Sequence, residues 1–474
     1  MARGKPGRRG KTKPAARTTT RLGPVLVVTA ILCAAGVLII LSTRQQSITP
    51  HGPEAPVRQA TETAPPIDLA GMTVEQQVAT LREEATKLAE DLAARFPNEV
   101  EAHVLLGDVH RRFGRSEEAM SCWRSATELD ARQASPYDRM AIVAMEKGQF
   151  DEALNLWRKV LALAPGSADI HDKMGRVFMA SGRQDEAIAA LTEAVRLSPR
   201  SALTSYLLGQ AYLQKKDYEQ AVGWYEKALA LDPNLANAHY GLATAYARLR
   251  RPALAKQYQA TFKTVSASGA EDSPYGYSAA DDLRRAREDY IGPALRGATL
   301  LKAKGQMSGA EALLRRAVSV DPNEVDCRRR LAAFYQGVGQ LSKALAQCEC
   351  VARLAPEDPT CQLLIGSLAL RLKLPARAEA AYKRCTVLAP GQSAGYRELA
   401  GFYLGTGQKT AEARGLAEKA VALEPIALNY FVLSQACYQA GDMEGALAAM
   451  GKAMQLDPGN RRYQQAYNMI KTRR

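Results

Sequence analysis

Residues 202–235 read ALTSYLLGQAYLQKKDYEQAVGWYEKALALDPNL, and this phrase of 34 residues can be laid over most of the chain. Its first half carries Leu208, Gly209 and Tyr212; its second half carries Ala221, Tyr225 and Ala228. Spacings of three and four put these small and apolar side chains on one face of each of two α-helices. In sister phrases a turn such as Lys147-Gly148-Gln149 or Ala440-Gly441-Asp442 separates the halves, where glycine can take the left-handed conformation that ends a helix. The closing proline, Pro233 here, ends the second helix. Each phrase is therefore a helical hairpin.

Outward from this stretch the period persists. Pro165, Pro199 and Pro233 stand 34 residues apart, and Pro322, Pro356, Pro390, Pro425 and Pro458 follow at spacings of 34, 34, 35 and 33. Two steps back from Pro165 lie Ala131 and then Pro97, so the phase survives where the proline is lost. Twelve residues before each of these points stands an alanine: Ala85, Ala119, Ala153, Ala187, Ala221, Ala310, Ala344, Ala378, Ala413 and Ala446. One hairpin cannot bury its apolar face alone, so neighbours must stack.

The pattern resembles the tetratricopeptide repeat family, whose W-x2-L-G-x2-Y, A-x3-F and terminal P fall at these spacings over roughly residues 74–472. The resemblance implies an all-α fold, a right-handed α-solenoid of about ten helical hairpins. Val74–Phe96 reads as a leading helix and Arg461–Lys471 as a closing one. The unit beginning near Ala236 keeps His239, Leu242, Tyr246 and Ala255 but has Gln259 where an apolar residue is expected. After it, Ser266–Tyr277 has turn chemistry and no period, so a first array is expected over 74–265, an irregular linker or insertion over 266–286, and a second array over 287–474. Either the solenoid continues around this segment or two arrays flex about it.

Ahead of the repeats, Leu22–Leu41 is a run of twenty residues without a charge. At 1.5 Å per residue such a helix spans about 30 Å, enough to cross a bilayer. Eight of the formal +14 charges, from Arg3 to Arg21, precede it, leaving about +6 for all that follows. This basic tail over 1–21 implies a cytoplasmic N-terminus, contact with anionic lipid, and a single-pass inner or plasma membrane protein whose repeats are extracytoplasmic, periplasmic in a bacterium. The remaining surface is too mildly basic to imply nucleic acid. Residues 42–73, with Pro50, Pro53, Pro56, Pro65 and Pro66, read as an extended spacer.

Little in the sequence suggests chemistry. Gly10-Lys11-Thr12 lacks the glycine five residues earlier that a phosphate loop needs, and Gly407-Gln408-Lys409-Thr410 has Gln where that loop has Gly. His103, His171 and His239 share one repeat slot, each two repeats from the next, and read as packing residues. Beyond the apolar run lie seven cysteines, none in C-x-x-C; in an oxidising compartment a pair such as Cys350 with Cys361 could bond, while burial as small hydrophobes is the simpler reading. Neither an enzyme nor a cofactor or metal site is expected.

The resemblance also implies where a partner sits. First helices line the concave side of such a stack, and their exposed slots, read onto the first array, are Tyr206, Gln210, Leu213, Gln214, Asn237, Tyr240, Thr244 and Arg248. In the last unit they are Leu428, Phe431, Gln435, Tyr438 and Gln439. Aromatics among amides suit a peptide, the rings giving area and the amides reading its backbone. The chain resembles membrane-anchored repeat proteins that act as assembly scaffolds. The rival expectation is a non-catalytic regulatory or substrate-presenting subunit of a separately encoded envelope-biogenesis or glycosyl-transfer complex.

Overall fold

The computed structural model describes residues 66–268 and 279–473. The basic tail, the apolar run Leu22–Leu41 and most of the proline-rich spacer lie outside the described residues. Among the described residues there are 22 helices and no strand, and no helix is long and apolar enough to cross a membrane. They are α1 (Val74–Arg95), α2 (Val100–Arg112), α3 (Ser116–Leu129), α4 (Ala134–Glu146), α5 (Phe150–Leu163), α6 (Ala168–Ala180), α7 (Gln184–Leu197), α8 (Ala202–Gln214), α9 (Tyr218–Leu231), α10 (Ala236–Arg248) and α11 (Pro252–Ser268). After residues 269–278 follow α12 (Ala279–Ala303), α13 (Met307–Val320), α14 (Val325–Gly337), α15 (Leu341–Leu354), α16 (Pro359–Arg371), α17 (Pro375–Leu388), α18 (Ser393–Thr406), α19 (Thr410–Leu423), α20 (Ala427–Gln439), α21 (Met443–Leu456) and α22 (Arg461–Thr472). The interval 266–286 is thus helical at both ends.

From α2 to α21 the helices pair into ten TPR-like hairpins, and every turn between partners uses the same device. One residue in each stands at positive φ: Gly114, Gly148, Gly182, Lys216, Arg250, Gly305, Gly339, Lys373, Gly407 and Gly441. It lets the next amide reach back to a carbonyl five residues earlier, as Arg115 does to His110 and Gln149 to Ala144, satisfying acceptors that the helix end would leave bare. The 35-residue spacing before Pro425 has its cause here, since Lys409 is a second left-handed residue in the same turn as Gly407.

The packing follows the period. All ten phased alanines are fully buried, which lets paired helices approach closely. Four residues on, Trp123, Trp157, Leu191 and Tyr225 fill the space between one hairpin and the next, each with 0–1% of its surface exposed. Burying an apolar side chain of this size contributes about 1.5–3 kcal/mol. Ion pairs also join repeats, Glu117 to Lys147, Asp151 to Arg183 and Asp185 to Lys215. Their carboxylates are 79%, 92% and 81% exposed, so each pair adds at most a few tenths of a kcal/mol and packing decides the stack.

The chain divides into two compact units between Cys327 and Arg328. In the unit ending at Cys327, α11 ends the first array: its Gln259 is exposed at the slot where Tyr225 and Trp157 are buried, and Ala255 is only half-buried. A polar residue stands at a slot that, within this unit, no described helix covers. The other end holds the less expected feature. Among the described residues no helix precedes α1, and α12 takes the place of its hairpin partner, packing along α1 while touching α2 and pairing with α13. Gly297 makes the approach possible, since a Cβ there would lie 2.7 Å from Leu92. Arg112 pairs with Asp289 at 2.8 Å, Arg316 donates to Glu84 at 2.6 Å, and Arg296 donates to Asp108 at 2.6 Å and Glu101 at 2.8 Å. The hairpin α12–α13 therefore does not carry on from α11; it completes the start of the first array.

In the unit from Arg328 onward, α22 covers the last hairpin, burying Tyr463 and Ile470 with Met450 and Ala453. The ring of Phe431 lies 5.2 Å from that of Tyr463, and Arg473 donates to the Tyr438 hydroxyl at 2.6 Å.

Candidate peptide groove

Neighbouring first helices of the first array touch one another, α6 with α8 and α8 with α10, so their outward slots form one continuous surface. At its α12 end this surface closes into a cleft of about 860 Å³, lined by Leu105, Val109 and Ile142 with a rim of charges. Those charges are satisfied within the protein. Asp108 accepts from Arg139 and Arg296, and Arg111 pairs with Glu146 at 2.7 Å. Asp138 accepts from Trp157 Nε1 at 2.8 Å and from Lys173 at 3.0 Å. A ligand there would have to compete with bonds already made, which leaves the cleft a poor first choice.

Toward α10 the surface changes character. Tyr240 is 59% exposed, and it is the one aromatic among the exposed large hydrophobic side chains of the described residues. Its ring lies 5.5 Å from that of Phe262 on α11. Asn237, Gln214 and Arg248 are also exposed. Gln210, Leu213 and Thr244 are half-buried; the Thr244 hydroxyl is occupied by the Tyr240 carbonyl, and Leu213 packs on the core around Tyr225. Tyr206 is half-buried as well, 5.9 Å from Tyr225, and burial pushes its hydroxyl pKa up, so it is a neutral donor at ordinary pH. The eight slots thus share one face, with the α10 end open and the α8 end partly packed.

Two neighbours on α6 complete the picture. Asp172 donates nothing and accepts from the Thr204 hydroxyl at 2.8 Å, and burial raises its pKa. Arg176 is exposed, close enough to Tyr206 and Asp172 to act on both electrostatically. It occupies the slot of Gln210 and Thr244 one and two repeats earlier, so stepping back 34 residues from Gln210 would have found it.

The corresponding slots of the last unit differ from the sequence reading. Phe431 is 7% exposed because it packs against Tyr463 of α22, and Gln435 is 5% exposed. Gln439 spends its amide on the Leu404 carbonyl. Among the histidines, His103 and His239 each set Nε2 against the carbonyl of a proline six residues back, Pro97 and Pro233. Among the described residues no group of three His, Cys, Asp or Glu side chains is placed to hold a metal ion. The cysteines beyond residue 66 are free thiols, and the neighbour of Cys361 is Cys348 rather than Cys350: Cys361 donates to the Cys348 carbonyl at 3.0 Å, while Cys350 lies against Arg353.

Repeat profiles match several of these hairpins. A tetratricopeptide repeat profile matches residues 81–134, 173–236 and 403–461, and two others match 144–191 and 224–257. No curated protein sequence matches the chain. Among solved structures, MamA is 22% identical, covering 35% of this chain and 97% of its own, with a TM-score of 0.34. MamA from Desulfovibrio magneticus RS-1 is 24% identical over 37% of this chain and 97% of its own, with a TM-score of 0.35. YrrB, described as a TPR protein with an unusual peptide-binding site, is 18% identical over 38% of this chain and 93% of its own, with a TM-score of 0.35.

Proposed function

We propose that this array of tetratricopeptide-type hairpins is a membrane-tethered scaffold that holds partner proteins or peptides on the first-helix face of its first array. The observation that carries the reading is the exposed Tyr240 among Asn237, Gln214 and Arg248, on a surface continuous with Tyr206 and Gln210. An aromatic ring that is 59% exposed costs solvation until something covers it, and amides beside it can bond a backbone without demanding one sequence. The tether is the uncharged run Leu22–Leu41, and the basic residues before it favour a cytoplasmic N-terminus with the repeats across the membrane.

A photo-reactive phenylalanine analogue in place of Tyr240 in the full-length chain tests the groove. Crosslinks to a discrete partner protein are expected; recovery of lipid or of other copies of this chain alone would refute the reading. The topology is tested apart from it, by labelling single-cysteine variants of the array from either side of intact membranes.

A further inference from the structure

We propose that the closing hairpin of the first array, α10–α11, docks on an anionic lipid surface through Arg250, Arg251, Lys256 and Lys263. The proposal rests on the membrane tether, not on the groove, and adds a second contact with the same bilayer. Residues 236–268 hold five lysines and arginines and no aspartate or glutamate, whereas in each of the four hairpins before them the two signs balance to within one charge. Glu271 and Asp272, the next acids along the chain, still leave an excess of three. All five side chains are exposed, and none makes an ion pair with another described residue. Two of them stand where the preceding three hairpins are apolar. Lys256 takes the slot of Leu154, Ile188 and Val222; Lys263, two helical turns on and so on the same face, takes that of Leu161, Val195 and Leu229. A terminal repeat needs a polar outer face for solubility, but solubility does not ask for a single sign.

The charges are also held where the backbone disfavours them. Arg250 has a φ of 57°, a conformation that glycine supplies in seven of the ten hairpin turns. Arg250 and Arg251 precede the N-terminus of α11, the positive end of the helix dipole, and its first turn has no acid. The second helices α3, α5 and α7 begin instead with Glu117-Glu118, Asp151-Glu152 and Asp185-Glu186. Unpaired charge kept against local stability points to an anion that the array itself does not supply. Lipid headgroups are the anion at hand. Only 32 residues separate Leu41 from Val74. Even fully extended, at 3.3–3.6 Å each, they let the array stray no further than about 110 Å from the bilayer. A tethered array therefore meets anionic headgroups at high effective concentration, and each lysine or arginine near them adds attraction that salt weakens.

The test uses the full-length chain reconstituted in vesicles of phosphatidylcholine, alone or with a third phosphatidylglycerol. A photo-reactive phenylalanine analogue replaces Gln259, which is exposed between Lys256 and Lys263. Lipid adducts at position 259, read by mass spectrometry, should be at least about fivefold more abundant in the anionic vesicles. The same analogue in place of Asp151, 92% exposed on an earlier hairpin, should show no such preference. Lys256→Gln together with Lys263→Gln, and Arg250→Gly alone, should each lower the adduct at 259 by at least about fivefold. Arg250→Gly should do so while raising the melting temperature, which separates a lost contact from a lost fold. Equal adducts in the two kinds of vesicle, no adduct in either, or a yield that these substitutions leave unchanged overturns the proposal. An oligonucleotide at equal phosphate concentration should leave the adduct in place; if it removes it, the anion is a nucleic acid and the proposal fails. Flotation with the neutral vesicles judges the tether separately. A chain that floats with them yet gives equal adducts keeps the tether and loses the docking face, and one that floats only with anionic vesicles while giving the adduct does the reverse.

Discussion

A close contact in the first array offers a test in which two glycines of neighbouring helices give opposite signs. Tyr225 is 1% exposed and lies between Gly209 of its own hairpin and Gly241 of the next. A Cβ at position 241 would stand 2.4 Å from the ring Cζ, and one at 209 would stand 2.7 Å from Cδ1, so the ring cannot retreat from one without meeting the other. Alanine at 241 gains about 1 kcal/mol of helix propensity. Overpacking of a buried site costs about 1–3 kcal/mol, and with the ring pinned on both faces the upper half of that range applies, leaving a net loss of about 1–2 kcal/mol. Gly223, in α9, is exposed and a Cβ there would meet nothing within 4 Å, so Gly223→Ala keeps the propensity gain whole. Thermal melts followed by circular dichroism should therefore fall for Gly241→Ala and rise for Gly223→Ala, with roughly 2–4 °C per kcal/mol in a unit of this size. In a Tyr225→Leu background the loss at 241 should shrink by about 1 kcal/mol or more, because the two sites touch. A midpoint that rises in both variants would refute the account of close approach through glycine.

The left-handed turn residues give a second test: Lys216→Gly and Arg250→Gly should each raise stability by about 1 kcal/mol in urea titrations, since only glycine takes that conformation without cost. Asp108 accepts from both Arg139 and Arg296, so Asp108→Ala should cost about 1–3 kcal/mol and speed amide exchange in α12, whereas Glu117→Ala on the exposed ladder should cost under about 0.5 kcal/mol. In the second unit, bonds from Lys409, Lys383 and the Tyr403 hydroxyl hold the Glu379 carboxyl down to about 2. A carboxyl whose folded pKa lies below its unfolded one stabilises the fold above about pH 4.5 and ceases to do so as pH falls toward 2. The melting points of the parent and Glu379→Gln should therefore differ at pH 6 and converge near pH 2; a gap that widens in acid would contradict this.

What could be read from the sequence divides along the same physical line as what could not. The phased alanines and the turn positions repeat because each hairpin meets its neighbour through the same small contact, and local spacing reports local contact. Gln259 also carried its message, a polar residue where the run of hairpins stops, though its meaning depended on knowing that the next helix, α12, packs on α1. The pairing of α12 with α1 left no such trace, because residues about two hundred apart share no period and Gly297 looks like any helical glycine. In the groove, slots transferred by position found Tyr240 and Asn237 in the open, whereas Phe431 is covered by Tyr463 of the closing helix and Gln435 is buried as well, since the slot rule takes no account of what the closing helix covers.

The placement of α12 also bears on how the chain is made. Between the end of α1 at Arg95 and the end of α12 at Ala303 lie 208 residues of synthesis. At about 5–20 residues per second, the apolar side of α1 waits some 10–40 s after it is made before its partner exists. By the end of that interval five finished hairpins stand with an unfinished first one. A chaperone acting on this protein during translation would have its binding site at α1, where Leu81, Leu88 and Leu92 await cover.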